Sequence, residues 1–381
     1  MVLHNLHLLT QSLPVYITIN GEHISAITEN TVATTGISFD NAVAIPGLIN
    51  SHDHLDFNCF PSLKSGYYTN YTAWGNHIHK RFKTEIDAVL KIPLELRVKW
   101  GLYKNLLAGV TTVVNHGNKL PITNPLITVI EEPQSLHSVK FEKRWKWKLN
   151  NPSQRNNIAV IHTGEGTDKA ASKEIDELIV WNLLKRKLVG VHAVAMNEEQ
   201  AKSFYGIVWC PESNFFLLNQ TAAIQSLKKN TSILFGTDAT LTGNWNIWEQ
   251  LRLARSLQQM EDEALFACVT TNPAGCWKIN AGVIKENTLA DIVILKKAAA
   301  DKWNAVFAAN PEDILMVIHK GKIRLFDHSL YKQTAGLNMA MNNFYPVNIH
   351  GSVKYIEGDL PALMDAILKY YPAMKFPVTH Q

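Results

Sequence analysis

Cysteine is scarce in this chain of 381 residues. The four present, Cys59, Cys210, Cys268 and Cys276, are far apart and show no Cys-x-x-Cys spacing, which excludes a zinc ribbon or a redox dithiol and leaves buried reduced thiols as the default. Long apolar runs are also missing: Gly, Asn or Pro interrupts every stretch that approaches the ~20 apolar residues of a membrane helix. Met1 to Pro14 has neither a basic n-region nor a small-residue cleavage site, so the chain reads as soluble and cytoplasmic, without a membrane partner. Charge is modest, at 18% of residues and a net +4, with no like-charge block long enough to hold a nucleic acid. The one basic and aromatic segment, Lys140 to Lys148, has the composition of a single-strand groove. A solvated surface helix with its tryptophans packed inward accounts for it better, because one patch in a near-neutral chain is a poor electrostatic footprint.

What is present suits a globular enzyme. Hydrophobic residues make up 46% of the chain, and the length exceeds the ~250–300 residues that one simple core serves, so a large domain with a smaller companion is expected. Residues 1–45 show short alternating runs on either side of Asn20-Gly21, which predict a β-hairpin turning there. Residues 46–275 alternate apolar strand-like runs with helical stretches, the pattern of repeated βα units and a parallel sheet. Short strands return over 276–340, so the two ends are expected to form one small sheet domain. The segment 341–381 offers one amphipathic stretch, Leu360 to Tyr370. Within the centre the predicted strands are Ala44–Ile49, Val110–Val114, Leu126–Ile130, Ser135–Lys140, Ile158–Ile161, Leu188–Val191, Gly206–Trp209 and Ser232–Phe235. Helices are predicted over Leu94–Leu107 and Ser172–Leu184, the latter with Leu183 on its apolar stripe, and Asn197 with Gln200 forms a capping box.

Functional residues of a parallel barrel sit at the carboxyl ends of its strands. Here those ends carry His52 and His54, then His116, His162, His192, the run Cys210-Pro-Glu-Ser213-Asn214, and Thr237-Asp238. In an extended chain His52 and His54 point to the same face, so both imidazoles can reach one ion. With His162 and Asp238 they make a set of nitrogen and oxygen ligands that suits zinc, with ferrous iron as the alternative, and leaves a position for water. Coordination can bring the pKa of water from 15.7 to about 7, so no serine or cysteine nucleophile is needed. Glu165, three residues beyond His162, is the expected proton shuttle, and His192 the group that hydrogen-bonds the electrophile or the attacking water. Singly each has an ordinary reading: Glu165 a helix-dipole acid, Asp238 a helix cap, His192 a structural histidine. Their joint occurrence at successive strand ends argues for the site. Tyr67, Tyr68, Tyr71 and Trp74 in the first strand-to-helix loop, and Trp245 and Trp248 after the last strand, belong to loops that face the same mouth, where a planar substrate can stack, although ordinary packing of a long loop accounts for them equally well. Trp74, Trp245, His116 and Asn214 are the expected substrate contacts, although Ser213 and Asn214 also fit a structural turn.

The motifs Pro-Gly-Leu-Ile-Asn-Ser-His52-Asp-His54, Gly109-Val-Thr-Thr-Val-Val, His162-Thr-Gly-Glu165, His192, Cys210-Pro-Glu-Ser-Asn and Gly236-Thr-Asp238 stand in an order that resembles the amidohydrolase superfamily. The resemblance is nearest to its cytosine-deaminase-like and chlorohydrolase-like branch and covers residues 1 to about 330. It implies an α/β fold, a distorted (β/α)8 TIM barrel over 46–275 with a small composite β-sandwich from 1–45 and 276–340. It also implies one divalent metal on His52, His54, His162 and Asp238, with Glu165, His192 and Asp238 catalytic. Two features depart from the pattern. The interval from Val114 to Ile158 is short, and His-x-Ala-Glu is replaced by His-Thr-Gly-Glu. Lys140 falls where binuclear relatives carry a carboxylated lysine, but the His-x-x-Glu spacing favours the mononuclear kind. The function expected is hydrolysis of a carbon–nitrogen bond in a small, cyclic or heteroaromatic molecule. Hydrolysis of another bond, such as carbon–chlorine, and a non-catalytic scaffold are the alternatives, and self-association stays open.

Overall fold

The computed structural model describes residues 1–11, 13–30, 35–296, 301–337 and 339–380. Strands β1 (Val2–Leu8), β2 (Val15–Asn20), β3 (His23–Thr28) and β4 (Ile37–Pro46) come from the start of the chain. The centre supplies β5 (Leu48–Asp53), β6 (Val110–Asn115), β7 (Thr128–Ile130), β8 (Gln134–Ser138), β9 (Ala159–Thr163), β10 (Leu188–His192), β11 (Gly206–Trp209) and β12 (Ser232–Phe235). The remainder carries β13 (Ile292–Lys296), β14 (Ile314–His319), β15 (Lys322–Asp327), β16 (Phe344–Ile349) and β17 (Ser352–Glu357).

The two ends of the chain share one sheet. Its nine strands run in the order β16-β17-β15-β14-β13-β4-β1-β2-β3, and the seam is the antiparallel pair of β4 with β13, in which Pro46 faces Ile292. The expected hairpin is there, turning through Gly21 at φ +57°. Leu3, Ile17, Phe39, Ile292, Met316 and Phe326 belong to one apolar cluster, so the two ends bury each other's surface. The sandwich expected from the resemblance differs from this single continuous sheet, which also recruits β16 and β17 from a segment whose sequence shows no clean alternation. Pro346 sits in β16, at the sheet edge, where its missing N–H costs no ladder bond.

The predicted strand Ala44–Ile49 divides. Residues to Pro46 belong to the large sheet and those from Leu48 to the centre, with Gly47 between them. A Cβ at Gly47 would lie 2.3 Å from Thr111 Oγ1, so only glycine lets the chain pass β6 this closely. Among the described residues the central strands form two parallel sheets, β5-β6-β7 and β12-β11-β10-β9-β8, rather than one closed ring. The outer strands of the two arcs meet where the Asp238 N–H donates to the His52 carbonyl at 3.0 Å.

Helices pack outside these strands. Leu94–Leu107 spans the predicted residues and buries Trp100, Leu106 and Leu107, each worth about 2–3 kcal/mol on removal from water. The helix predicted over Ser172–Leu184 runs instead from Lys169 to Trp181, because the Asp168 side chain caps it by accepting from Ala171 N–H. Leu183 therefore falls outside the helix and is 65% exposed. The capping box of Asn197 and Gln200 opens the short helix Glu198–Ala201. In the basic segment only Trp145 turns inward; Trp147 is 69% exposed. The four thiols are buried and unpaired. Among the described residues no helix is long and apolar enough to cross a membrane.

Candidate metal centre

Parallel pairing in register brings the strand ends together. His162 on β9 faces Val191 on β10, and His192 follows at the next step. The result is two overlapping groups of ligand atoms: His52, His54 and Asp238, and His52, His162 and His192. Asp238 Oδ1 lies 3.7 Å from both His52 Nε2 and His54 Nε2, and His162 Nε2 is 3.2 Å from His52 Nε2. All the residues that sequence reasoning assigned to the metal thus converge. His192, which it assigned to catalysis alone, joins the second group.

The surroundings prepare these atoms for a cation. The His137 carbonyl, 2.8 Å from His162 Nδ1, can only accept, so Nδ1 carries the proton and Nε2 keeps a bare lone pair. Asn214 Oδ1 does the same for His192 Nδ1 at 2.9 Å, while its amide group donates to Thr221 Oγ1. Burial, with the neighbouring His52 second, lowers His54 to about 3; burial lowers His192 to about 4 and takes His162 well below the ordinary value. All three shifts favour the neutral form that a metal ligand requires. Burial acts against an ionised Asp238, yet the hydrogen bond from His52, with the nearby imidazoles of His54 and His192, holds its carboxyl well below the usual range. Its Oδ2 accepts from Ser213 Oγ at 2.7 Å and Thr242 Oγ1 at 2.8 Å, which leaves Oδ1 for the histidines. Imidazole nitrogens and a carboxylate oxygen gathered this closely are a donor set that fits a divalent cation.

Glu165 lies outside the following helix, buried, with Oε1 3.7 Å from His192 Nε2. Burial, and after it the charges of Asp238 and Glu174, raise its carboxyl well above the ordinary value. The loop carrying it is braced twice: Tyr71 N–H donates to the Glu165 carbonyl at 3.0 Å, and Glu174 accepts from Gly164 N–H at 3.2 Å and from Tyr71 Oη at 3.2 Å. The backbone is strained here as well, with His192 at φ +71° and Asp238 at φ +56°, a region few side chains adopt.

Glu174 carries a testable pH signature. Burial lifts its carboxyl from 4.5 to about 7 against the bonds from Tyr71 and Gly164. A raised folded value means stability fully present below the unfolded value and lost as pH rises through about 7. Glu174→Gln is therefore expected to flatten that loss, gaining on the order of 3 kcal/mol relative to the unaltered protein in mild alkali. Urea unfolding of the metal-free proteins at pH values on either side of that window measures it, and parallel curves for the two proteins would refute it.

Histidines, Glu165 and Asp238 form the polar end of a cavity of about 410 Å³. Its other walls are mostly apolar, built by Phe57, Phe60, Leu63, Ile78, Phe141 and Leu241, with Asn76 and His79 among them. Trp74 and Tyr71 line it as expected, and His137, which sequence reasoning passed over, lines it too. Three other expected contacts do not reach the wall. Asn214 stands behind His192, Trp245 packs into the core, and His116 lies buried beneath His162 at 4.3 Å between ring centroids. Among the described residues neither ring nitrogen of His116 has a hydrogen-bond partner. Trp248 is committed to the Ala108 carbonyl. Lys140 is absent from both ligand groups and its charge acts on Glu174.

Residues 146–324 match the model of the amidohydrolase family. That stretch of the chain is similar to amidohydrolases. The chain is similar to the 5-methylthioadenosine/S-adenosylhomocysteine deaminase of Pyrococcus abyssi, 28% identical over 232 residues, a match covering 54% of each chain. Against the enzyme of the same name from Pyrococcus horikoshii it is 22% identical over 380 residues, covering 82% of this chain and 90% of that one. The match thus spans about half the length of the first relative and most of the second. A zinc-bound adenosine deaminase from Xanthomonas campestris shares the fold, with a TM-score of 0.68, 14% identity and 97% of each chain covered.

Proposed function

We propose that this protein is a metal-dependent hydrolase that deaminates a small heteroaromatic amine, replacing a carbon–nitrogen bond with carbon–oxygen and releasing ammonia. The observation that carries this reading is the junction of two environments in one cavity. His54, His162 and Asp238, with His52 buried behind them, gather at one end of it beside the buried pair Glu165 and His192, and a largely apolar slot leads away from them.

His52, His54, His162 and Asp238 would hold the cation, most fittingly zinc, with ferrous iron as the alternative. Such a cation supplies a water ionised near neutral pH and polarises the electrophilic carbon. The protein's own residues do the rest. Glu165, whose buried niche favours the protonated form, gives its proton to a ring nitrogen or to the departing amine and is recharged from the attacking water. His192, its Nδ1–H held by Asn214, offers the Nε2 lone pair as acceptor to a hydrogen of the attacking water. Asp238 Oδ1 takes the first proton of the attacking water and passes it to the departing amine, while Ser213 and Thr242 fix its other oxygen. The apolar walls exclude water and hold the ring flat. In this reading β5 to β12 are the staves of a distorted (β/α)8 barrel over residues 46–275, and 1–45 with 276–340 form the companion domain.

Substrate preference follows from the walls. Among the described residues lining the cavity there is no lysine or arginine, so the carboxylate of a zwitterionic tail would be desolvated without a permanent cation beside it. Methylthioadenosine is therefore expected to exceed S-adenosylhomocysteine in kcat/KM by at least about tenfold, which corresponds to ~1.4 kcal/mol. Ammonia release from the zinc-loaded protein, measured over adenine nucleosides and cytosine, tests both claims. Equal rates for the two nucleosides would reject the apolar-slot argument, and no ammonia from any amine would reject deamination.

A further inference from the structure

Asp53 stands between the two proposed ligands His52 and His54, and its side chain turns to the opposite face of β5. There it is tied down completely. Its Oδ2 accepts from Lys104 Nζ at 2.9 Å and Asn105 Nδ2 at 2.8 Å, and Oδ1 from Asn58 Nδ2 at 2.8 Å. Lys104 reaches in from the helix Leu94–Leu107 and is 1% exposed. Its Nζ also donates to Thr237 Oγ1 at 3.1 Å, on the residue before Asp238. Asn50 closes the circuit: Nδ2 donates to Thr237 Oγ1 at 2.8 Å, and Oδ1 accepts from Thr237 N–H at 3.1 Å and from His52 N–H at 3.3 Å.

A buried ion pair is a poor device for stability alone, since well-packed apolar side chains of similar volume often serve as well or better. What distinguishes this pair is where its ends are attached. One cation grips the residue between two ligands and the residue next to a third, on strands that come together at the Asp238-to-His52 backbone bond. We propose that Lys104 and Asp53 are positioning residues, a clamp that sets the spacing of His52 and His54 relative to Asp238 and so tunes the affinity and geometry of the cation site. This rests on the reading of those three residues as ligands.

The test uses the full-length protein, with Lys104→Met, the double variant Asp53→Asn with Lys104→Met, and Thr237→Val. Zinc affinity is read by competition with a chromogenic chelator, coordination by the visible spectrum of the cobalt(II) form, and fold by thermal unfolding of metal-free protein. Lys104→Met alone leaves a buried carboxylate unpaired and is expected to lower the melting temperature. The double variant removes both charges and should regain most of it, yet bind zinc about 10–100-fold more weakly than the unaltered protein and with an altered cobalt spectrum. Thr237→Val cuts one arm of the clamp without stranding a charge and should show a smaller loss of the same kind. A double variant or Thr237→Val protein that binds zinc as tightly as the unaltered protein, with an unchanged cobalt spectrum, would overturn the clamp while leaving the ligand assignment intact. Failure of the unaltered protein to bind zinc or cobalt would overturn the ligand assignment itself, and the clamp with it.

Discussion

Glu165→Gln is expected to keep its metal and lose turnover by roughly 10²–10⁴-fold. The carboxyl lies buried beside His192 rather than among the converging ligand atoms, so replacing it by an amide of equal size should leave cation content and melting temperature close to those of the unaltered protein. What disappears is the ability to give up a proton at one stage and recover it at another. An amide cannot do this at any pH. Metal content by mass spectrometry, set beside ammonia release, makes the comparison; a Gln variant with undiminished activity would remove Glu165 from the mechanism. Asp238→Ala should behave differently, because it removes both a ligand and the acceptor gripped by Ser213 and Thr242. Metal content and turnover are then expected to fall together.

Stripping the cation should abolish turnover and loosen the fold. A ligand present at 100 times its dissociation constant stabilises the native state by about 2.7 kcal/mol, and chelation forfeits that amount. The metal-free protein should also be acid-sensitive in a definable window. Burial, reinforced by His52, lowers His54 to about 3, and burial lowers His192 to about 4. Depressed folded values mean stability present above the unfolded value of about 6.5 and lost as pH falls through the folded values. Denaturant unfolding across that range should show the metal-free protein weakening steadily as it is acidified. Zinc should hold the curve up until protons displace it. A metal-free protein of constant stability from neutrality to pH ~4 would contradict the burial and neutrality of these imidazoles.

How much of the site could be read from the chain follows from where its residues sit. In a parallel sheet the residue after an apolar run emerges at one end, so His52, His54, His162, His192 and Asp238 announced themselves by position and residue type alone. Glu165 came with His162 through its spacing. The supports did not. Ser213 and Asn214 were legible as a turn, but that one grips Asp238 and the other His192 depends on how a helix lies against strand ends. His137 acts through its carbonyl, which every residue has, and Lys104 occupies a helix position that reads as any amphipathic cation. Asp53 could be seen to point away; only the fold shows what it points to. The same limit governs architecture. The apolar run from Ala44 to Ile49 carries no sign of its division beyond Gly47, because the reason for the break is Thr111 of another strand. The strands β16 and β17 escaped notice because an edge hairpin needs little apolar alternation, while the helix Leu360–Tyr370 near them was plain from its periodicity.

The seam between β4 and β13 has a temporal side. Pro46 cannot meet Ile292 until the whole central region has been made, so at an elongation rate of about 5–20 residues per second the free edge of β4 waits many seconds for its partner. During that interval the apolar face of β1 to β4 has only itself to pack against, and an unpaired edge is open to any other strand. Pairings of such long sequence separation are slow to form even in a finished chain. The ribosome-bound protein is thus exposed to mispairing at the sheet that holds its two ends together rather than at the sheets that hold its chemistry.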